Sequence, residues 1–215
     1  MPFQAILMII KDTYNNSHLS KIDLYGGVLC LDFVNTVQDR KKEPVVDYLN
    51  TPEDWVAWLI RVGLIKLPAE LNIGKIKIPP LIKNRESIYH LITSVIDSGE
   101  TPAGLWESVN KGIQEAFGNV VLTNTKDKIL PQWSFDKADP MNYQHIIFKS
   151  LYELLLSDSL NRIKYCSGCG WLFLDTSKNN SRKWCNMRFC GSQDKSRRYY
   201  HRKTKKKEAQ IIKKS

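Results

Sequence analysis

Four cysteines near the C-terminal end of this 215-residue chain have the types and spacing to hold a metal ion. Cys166 and Cys169 form a C-x2-C pair, fifteen residues follow, and Cys185 and Cys190 form a C-x4-C pair. Two close pairs about 15–20 residues apart suit one tetrahedral four-thiolate Zn²⁺ site. Gly168 and Gly170 permit the tight turn that aims the first two thiolates at one point. Four protein ligands leave no open position for water, so the ion would be structural. The competing reading is two disulfides, which belong to secreted chains. Cys30 stands apart in the apolar run GVLCLDF and reads as a small buried hydrophobe.

The residues around the cysteines are strongly basic. From Asn161 to Ser215 there are 16 Lys+Arg and 3 Asp+Glu, whereas Met1 to Leu160 holds 16 basic and 19 acidic residues. The net charge of +10 therefore combines a body near −3 with a C-terminal part near +13, the pattern of a module that seeks polyanions. The run WLFLD predicts a strand and TSKNNS a polar turn, and a helix is expected from about Gly191. That order is knuckle, hairpin, helix, as in treble-clef-like fingers, with Trp171, Phe173 and Trp184 as a miniature core. So small a fragment needs the metal to fold. The helix would align Lys195, Arg198 and Arg202 at spacings of three and four, with Arg182, Lys183 and Arg188 beside it. Lysines would contact phosphate, while Gln193, Arg197 and Arg198 are candidates for base edges. Asp175 and Arg182 bracket the turn and read as an ion pair or turn-side hydrogen bonds, against a direct nucleic-acid contact for Arg182.

The elements that must position this module lie upstream. GGVLCLDFVNTV reads as a buried strand running into a turn or short helix. Thr51 (N-cap), Pro52, Glu53 and Asp54 start a helix whose apolar face is Trp55, Trp58, Leu59 and Val62, with Gly63 as its stop. Pro79–Pro80 opens a second helix with Leu81, Ile88, Leu91, Ile92, Val95 and Ile96 inward and Lys83, Arg85 and Glu86 outward. Thr101–Pro102 opens a third, VVLTNT and ILPQWSF form a β-hairpin, and Asp139–Pro140 opens a fourth helix. The expected fold is thus α+β: a mainly helical body with a small sheet over residues 1–160, a zinc finger over 161–205 and a basic tail over 206–215.

Asp32, Asn35 and Thr36 are the densest polar cluster in an apolar setting. A buried Asp needs partners, so they read either as a hydrogen-bonded staple or as the lining of an effector pocket, to which Asp47 would add. The body holds no dinucleotide, P-loop, zincin or nucleophile-elbow motif, so no enzyme is expected. The initial apolar run of about eight residues is too short for a membrane span and lacks the flanks of a secretory signal. A cytoplasmic protein is expected, where paired thiols hold metal.

The stretch CSGCGWLFLDTSKNNSRKWCNMRFCGSQDKSRRYYHRK resembles the CGNR zinc-finger family of bacteria. GGVLCLDFVNTV followed by TPEDWVAWL resembles the domain that precedes that finger in stress-induced transcription regulators. The likeness runs from about Gly26 to Lys203. It implies a DNA-binding, nucleoid-associated regulator whose body senses a small-molecule effector or forms a homodimer. The alternative is a module whose finger docks to a protein or RNA; few stacking aromatics are evident beyond Tyr199, Tyr200 and Trp171. One departure stands out: the family's Cys-Gly-Asn-Arg reads Cys190, Gly191, Ser192, Gln193 here. The ligand is kept and a basic residue is lost.

Overall fold

The computed structural model describes residues 16–66, 70–97, 100–197, 199–200 and 202–203. The N-terminal apolar run, Arg198 and the 206–215 tail lie outside the described residues. The body is built around a short helix, α1 (Leu29–Val34), in which Cys30, Leu31, Phe33 and Val34 are all buried. A buried strand is therefore not what this apolar run forms. A short, wholly apolar run fits a buried helix as well as a strand. Here the turn is closed locally: the Gly26 N–H donates to Asp32 Oδ1 at 2.8 Å, and the Leu31 and Asp32 N–H groups both reach Val28 O. Gly26 has no room for a side chain, since a Cβ there would lie 2.6 Å from Asp32 N.

The helix α2 (Pro52–Arg61) starts on a capping box between Thr51 and Asp54 and stops before Gly63, whose φ is +77°. Trp55 and Trp58 stack at 5.3 Å, and Phe33 of α1 packs against both rings. The helix α3 (Ile78–Asp97) buries Leu81, Ile88, Leu91 and Ile92, with Val95 and Ile96 half-buried. The helices α4 (Ala103–Gly118) and α5 (Gln144–Leu155) pack on one another. Gly112 allows the close approach, because a Cβ there would meet the Phe148 ring at 2.4 Å. Between them, β1 (Val120–Thr125) and β2 (Lys128–Trp133) form the expected antiparallel hairpin around Lys126 and Asp127. The expected Asp139–Pro140 start is present as a 3-10 turn, Pro140–Tyr143, capped by Asp139 and leading into α5. No helix among the described residues is long and apolar enough to cross a membrane.

Arg85 departs from the sequence expectation, which placed it outward. It is 2% exposed and forms a bidentate pair with Asp47 at 2.7 and 2.6 Å, adding a bond to Glu86 at 2.7 Å. Its position shares the face of Leu81 and Ile88; the charge alone argued for solvent, and the partner carboxylate that lets it stay buried arrives from a loop 38 residues upstream. Glu86 is half-buried and shared with Arg40, whose guanidinium also lies 3.7 Å over the Tyr89 ring. Burial pushes the Glu86 carboxyl up, but Arg40 and Arg85 outweigh it and hold it below the ordinary range.

The finger strands β3 (Ile163–Tyr165) and β4 (Leu172–Leu174) pair antiparallel across the Cys166–Cys169 knuckle. The hairpin is thus upstream of the TSKNNS turn, not across it. Cys166, Trp171, Leu172, Phe173 and Cys185 belong to the same buried cluster as the body, so residue 160 marks a change of charge and not a break in the core.

Removing one partner of a buried ion pair typically costs about 3–5 kcal/mol. Arg85→Ala should therefore lower stability by about 3 kcal/mol in urea unfolding. Arg85→Met combined with Asp47→Leu should recover most of that loss, because no charge is left unpaired.

Candidate metal centre and nucleic-acid surface

The four cysteine sulfurs all lie within 4.8 Å of one another. Cys169 Sγ is 3.8 Å from Cys185 Sγ, and Cys185 Sγ is 3.8 Å from Cys190 Sγ. A tetrahedral ion with Zn–S near 2.3 Å has an S–S edge of about 3.8 Å, so the donor set fits one Zn²⁺. Close approach is built in: a Cβ on Gly168 would lie 2.8 Å from Cys190 Cβ. Gly170 adopts φ +74° and donates its N–H to Cys166 O at 2.9 Å. Four ionised thiols at this spacing repel one another. Hydrogen bonds from Cys169 and Cys185 draw the Cys166 thiol below its usual range, and Cys166 and Cys169 push the Cys185 thiol up. A dication removes that conflict.

Asp175 staples the loop that follows β4. Its carboxylate accepts the N–H of Ser177 at 2.9 Å and of Arg182 at 2.8 Å, and pairs with Lys164 Nζ at 2.8 Å. The expected turn-side bonds are present, and the ion-pair partner is Lys164. Full burial pushes the Asp175 carboxyl up, but these donors outweigh it and hold it well below the usual carboxylate range. The Arg182 guanidinium donates to Cys185 O and lies 4.9 Å over the Phe173 ring. Its charge is thus committed to the metal loop.

The body grips this centre at several points. Asn35 donates from Nδ2 to Leu172 O at 2.8 Å and accepts from Leu172 N at 3.0 Å. Arg40 N reaches Cys169 O at 2.9 Å, Lys41 Nζ reaches Ser167 O at 2.8 Å, and Trp171 Nε1 reaches Val37 O at 2.9 Å. Trp171 and Phe173 pack into the shared core instead of a separate one. Thr36 donates to Phe33 O at 2.9 Å and lies 3.3 Å from Arg85 Nη1. With Asn35 and Thr36 1% and 0% exposed and their polar atoms bonded within the chain, these two act as staples and do not line an open pocket. Asp47 is spent on Arg85. Asp32 is half-buried; burial raises its carboxyl to about 6, opposed by the Gly26 N–H and by Arg61. Burial likewise raises the Cys30 thiol to about 12, in keeping with an inert core residue.

Lys183, Arg188, Gln193, Lys195, Arg197 and Arg202 are exposed. A single π-turn, Met187–Gly191, carries Arg188 and leads into helical residues 192–197, so the expected helix does begin beside the last ligand. Two features escaped the sequence reading. Asn186 caps the π-turn, a role its residue type and position could have signalled, and Arg40 and Lys41 touch the knuckle from 126 residues or more away, which no local pattern reveals.

Asn35→Ala leaves both polar groups of Leu172 buried without partners. At about 1–3 kcal/mol per group, stability should fall by about 3 kcal/mol, read from urea unfolding. Because finger and body share one core, removing zinc by chelation or by Cys185→Ser should lower the melting temperature of the whole chain in a single transition. A separate finger transition with an unshifted body would contradict this coupling.

No curated protein shows a significant match to this chain. Two family models do match. Residues 162–203 match the CGNR zinc finger, which is the segment holding the four thiols. Residues 27–155 match ABATE, described as "Putative stress-induced transcription regulator", the segment that contains α1 to α5. Since that match spans more than half of its length, the chain belongs to the ABATE family and carries a C-terminal CGNR zinc finger with a single four-cysteine zinc site.

Proposed function

We propose that this protein is a transcription regulator whose zinc finger binds duplex DNA. The observation that carries the reading is the exposure of Lys183, Arg188, Lys195, Arg197 and Arg202 around the second pair of metal ligands, on a chain whose first 160 residues are slightly acidic. Lys183, Arg188, Lys195 and Arg202 contact phosphates, and Gln193, Arg197 and Arg198 reach base edges; Gln pairs well with adenine and Arg with guanine. Arg182 contributes through the shape of the metal loop.

The body supplies regulation. A cleft of about 390 Å³ between the hairpin and α5 is lined by apolar residues such as Leu29, Trp133 and Ile146 together with Gln132, Lys149 and Glu153, and it suits a small effector with both apolar and polar groups. Leu29 starts α1, and Asn35 at the end of α1 holds β4, so an effector there touches the element that positions the finger. Leu122 and Ile129 are 74% and 68% exposed on the hairpin and offer a face for a homodimer.

The four phosphate-contacting cations, Lys183, Arg188, Lys195 and Arg202, imply neutralisation of about four phosphates and a salt slope of about −3.6. Duplex affinity of the zinc-loaded full chain should therefore fall roughly 150-fold between ~50 and ~200 mM salt. Lys195→Glu with Arg202→Glu should abolish measurable binding while zinc stays at about one per chain. Absence of duplex affinity at the lower salt concentration would refute the reading.

A further inference from the structure

We propose that Phe189, supported by Met187, acts as an apolar wedge that enters a base step and kinks the DNA the finger binds. This rests on the duplex-DNA reading above and deepens it. Phe189 is 59% exposed and Met187 53% exposed. Among the described phenylalanines, Phe33, Phe135, Phe148 and Phe173 are buried, and the next most exposed, Phe117, packs edge-on against Tyr152 at 4.8 Å. Leaving such a ring in water forgoes the favourable transfer of its apolar surface, so its exposure calls for a partner.

The segment that carries it is rigidly built. Asn186 Oδ1 accepts the Arg188 N–H at 2.7 Å and the Phe189 N–H at 3.1 Å. The Gly191 N–H closes the π-turn on Asn186 O at 3.2 Å. Met187 Sδ lies over Gly191, where a Cβ would meet it at 2.6 Å. One zinc ligand, Cys185, precedes the turn and another, Cys190, lies within it, and Arg182 holds Cys185 O. An apolar side chain on a preorganised turn loses little further freedom on insertion.

Charge selects the partner. Lys183, Arg188, Lys195 and Arg197 are exposed on either side of Phe189, and Asp194 is half-buried. Exposed cations flanking an exposed apolar side chain in sequence fit a polyanion with a stacked apolar interior, which is what a duplex offers at a base step. Phe and Met are among the side chains that unstack such steps and bend DNA by roughly 20–90°.

The test uses the zinc-loaded full chain and a duplex of about 20 base pairs, end-labelled for energy transfer, with 2-aminopurine at a central TA step, which deforms easily. Binding of the native protein should shorten the end-to-end distance and raise 2-aminopurine fluorescence. Phe189→Ala should bind roughly tenfold more weakly, a loss of the size seen for one stacked base, without the fluorescence rise and with an unchanged salt slope. Phe189→Trp should keep the bend, and zinc content of both variants verifies the fold. Duplex binding by the native chain with no bend, or a bend that survives Phe189→Ala, overturns the wedge while leaving the DNA reading intact. Tighter binding to the single strand, weakened equally by Phe189→Ala, overturns it in favour of stacking on unpaired bases. No nucleic-acid binding at all overturns both.

Discussion

Leu172 presents its amide and carbonyl outward from β4, and the Asn35 side chain takes both, matching one backbone unit with one carboxamide. Everything C-terminal depends on that match. A two-stranded hairpin is marginal alone, and β4 is paired by β3 on one edge only. Its other edge is closed by Asn35 and, at Leu174, by the carbonyl of Gly26. The segment from Gly26 to Asn35 thus works as a third strand without being one. It can do so because α1 is packed on α3, α5 and β4, with four of its six residues buried.

The metal centre inherits this rigidity and adds its own electrostatics. Four thiolates around one dication leave a net charge of about −2. Lys41 on Ser167 O and Arg182 on Cys185 O place positive charge against the knuckle and the second ligand pair. Part of the basic excess of the C-terminal segment is therefore consumed in balancing the site. Lys164 is similarly committed to Asp175. A net charge read from composition overstates the cations free to meet a polyanion, and only the geometry separates the two populations.

The elements whose signals are local were legible. The cysteine spacing found the zinc site, Thr51 with Pro52 and Asp54 marked a helix start, and Lys126–Asp127 marked a hairpin. What failed was decided by partners distant in sequence. Arg85 lies on the apolar face of its helix, between Leu81 and Ile88; its charge argues for solvent, and only Asp47 lets it stay inside. Asn35 and Thr36 read as staple or pocket from sequence, and the bonds that favour the staple come from Leu172, 137 residues away, and from Arg85. The α1 run was misread because apolar residues alone do not distinguish a buried strand from a buried helix. Exposure of Phe189 was likewise invisible, since a phenylalanine between two cysteine ligands reads as core by default.

The Ser192–Gln193 departure can be placed in the same terms. Ser192 N–H reaches Phe189 O, a backbone bond that any residue but proline could make, and Gln193 is exposed. Neither residue supplies a metal ligand or a contact between finger and body, so the change leaves the clamp untouched. It removes one cation at the point where the helix leaves the π-turn, which weakens a purely ionic grip by about one phosphate's contribution. It also puts a neutral donor–acceptor next to an exposed aromatic. A finger altered in that way relies less on charge and more on what its turn can fit between or against the bases.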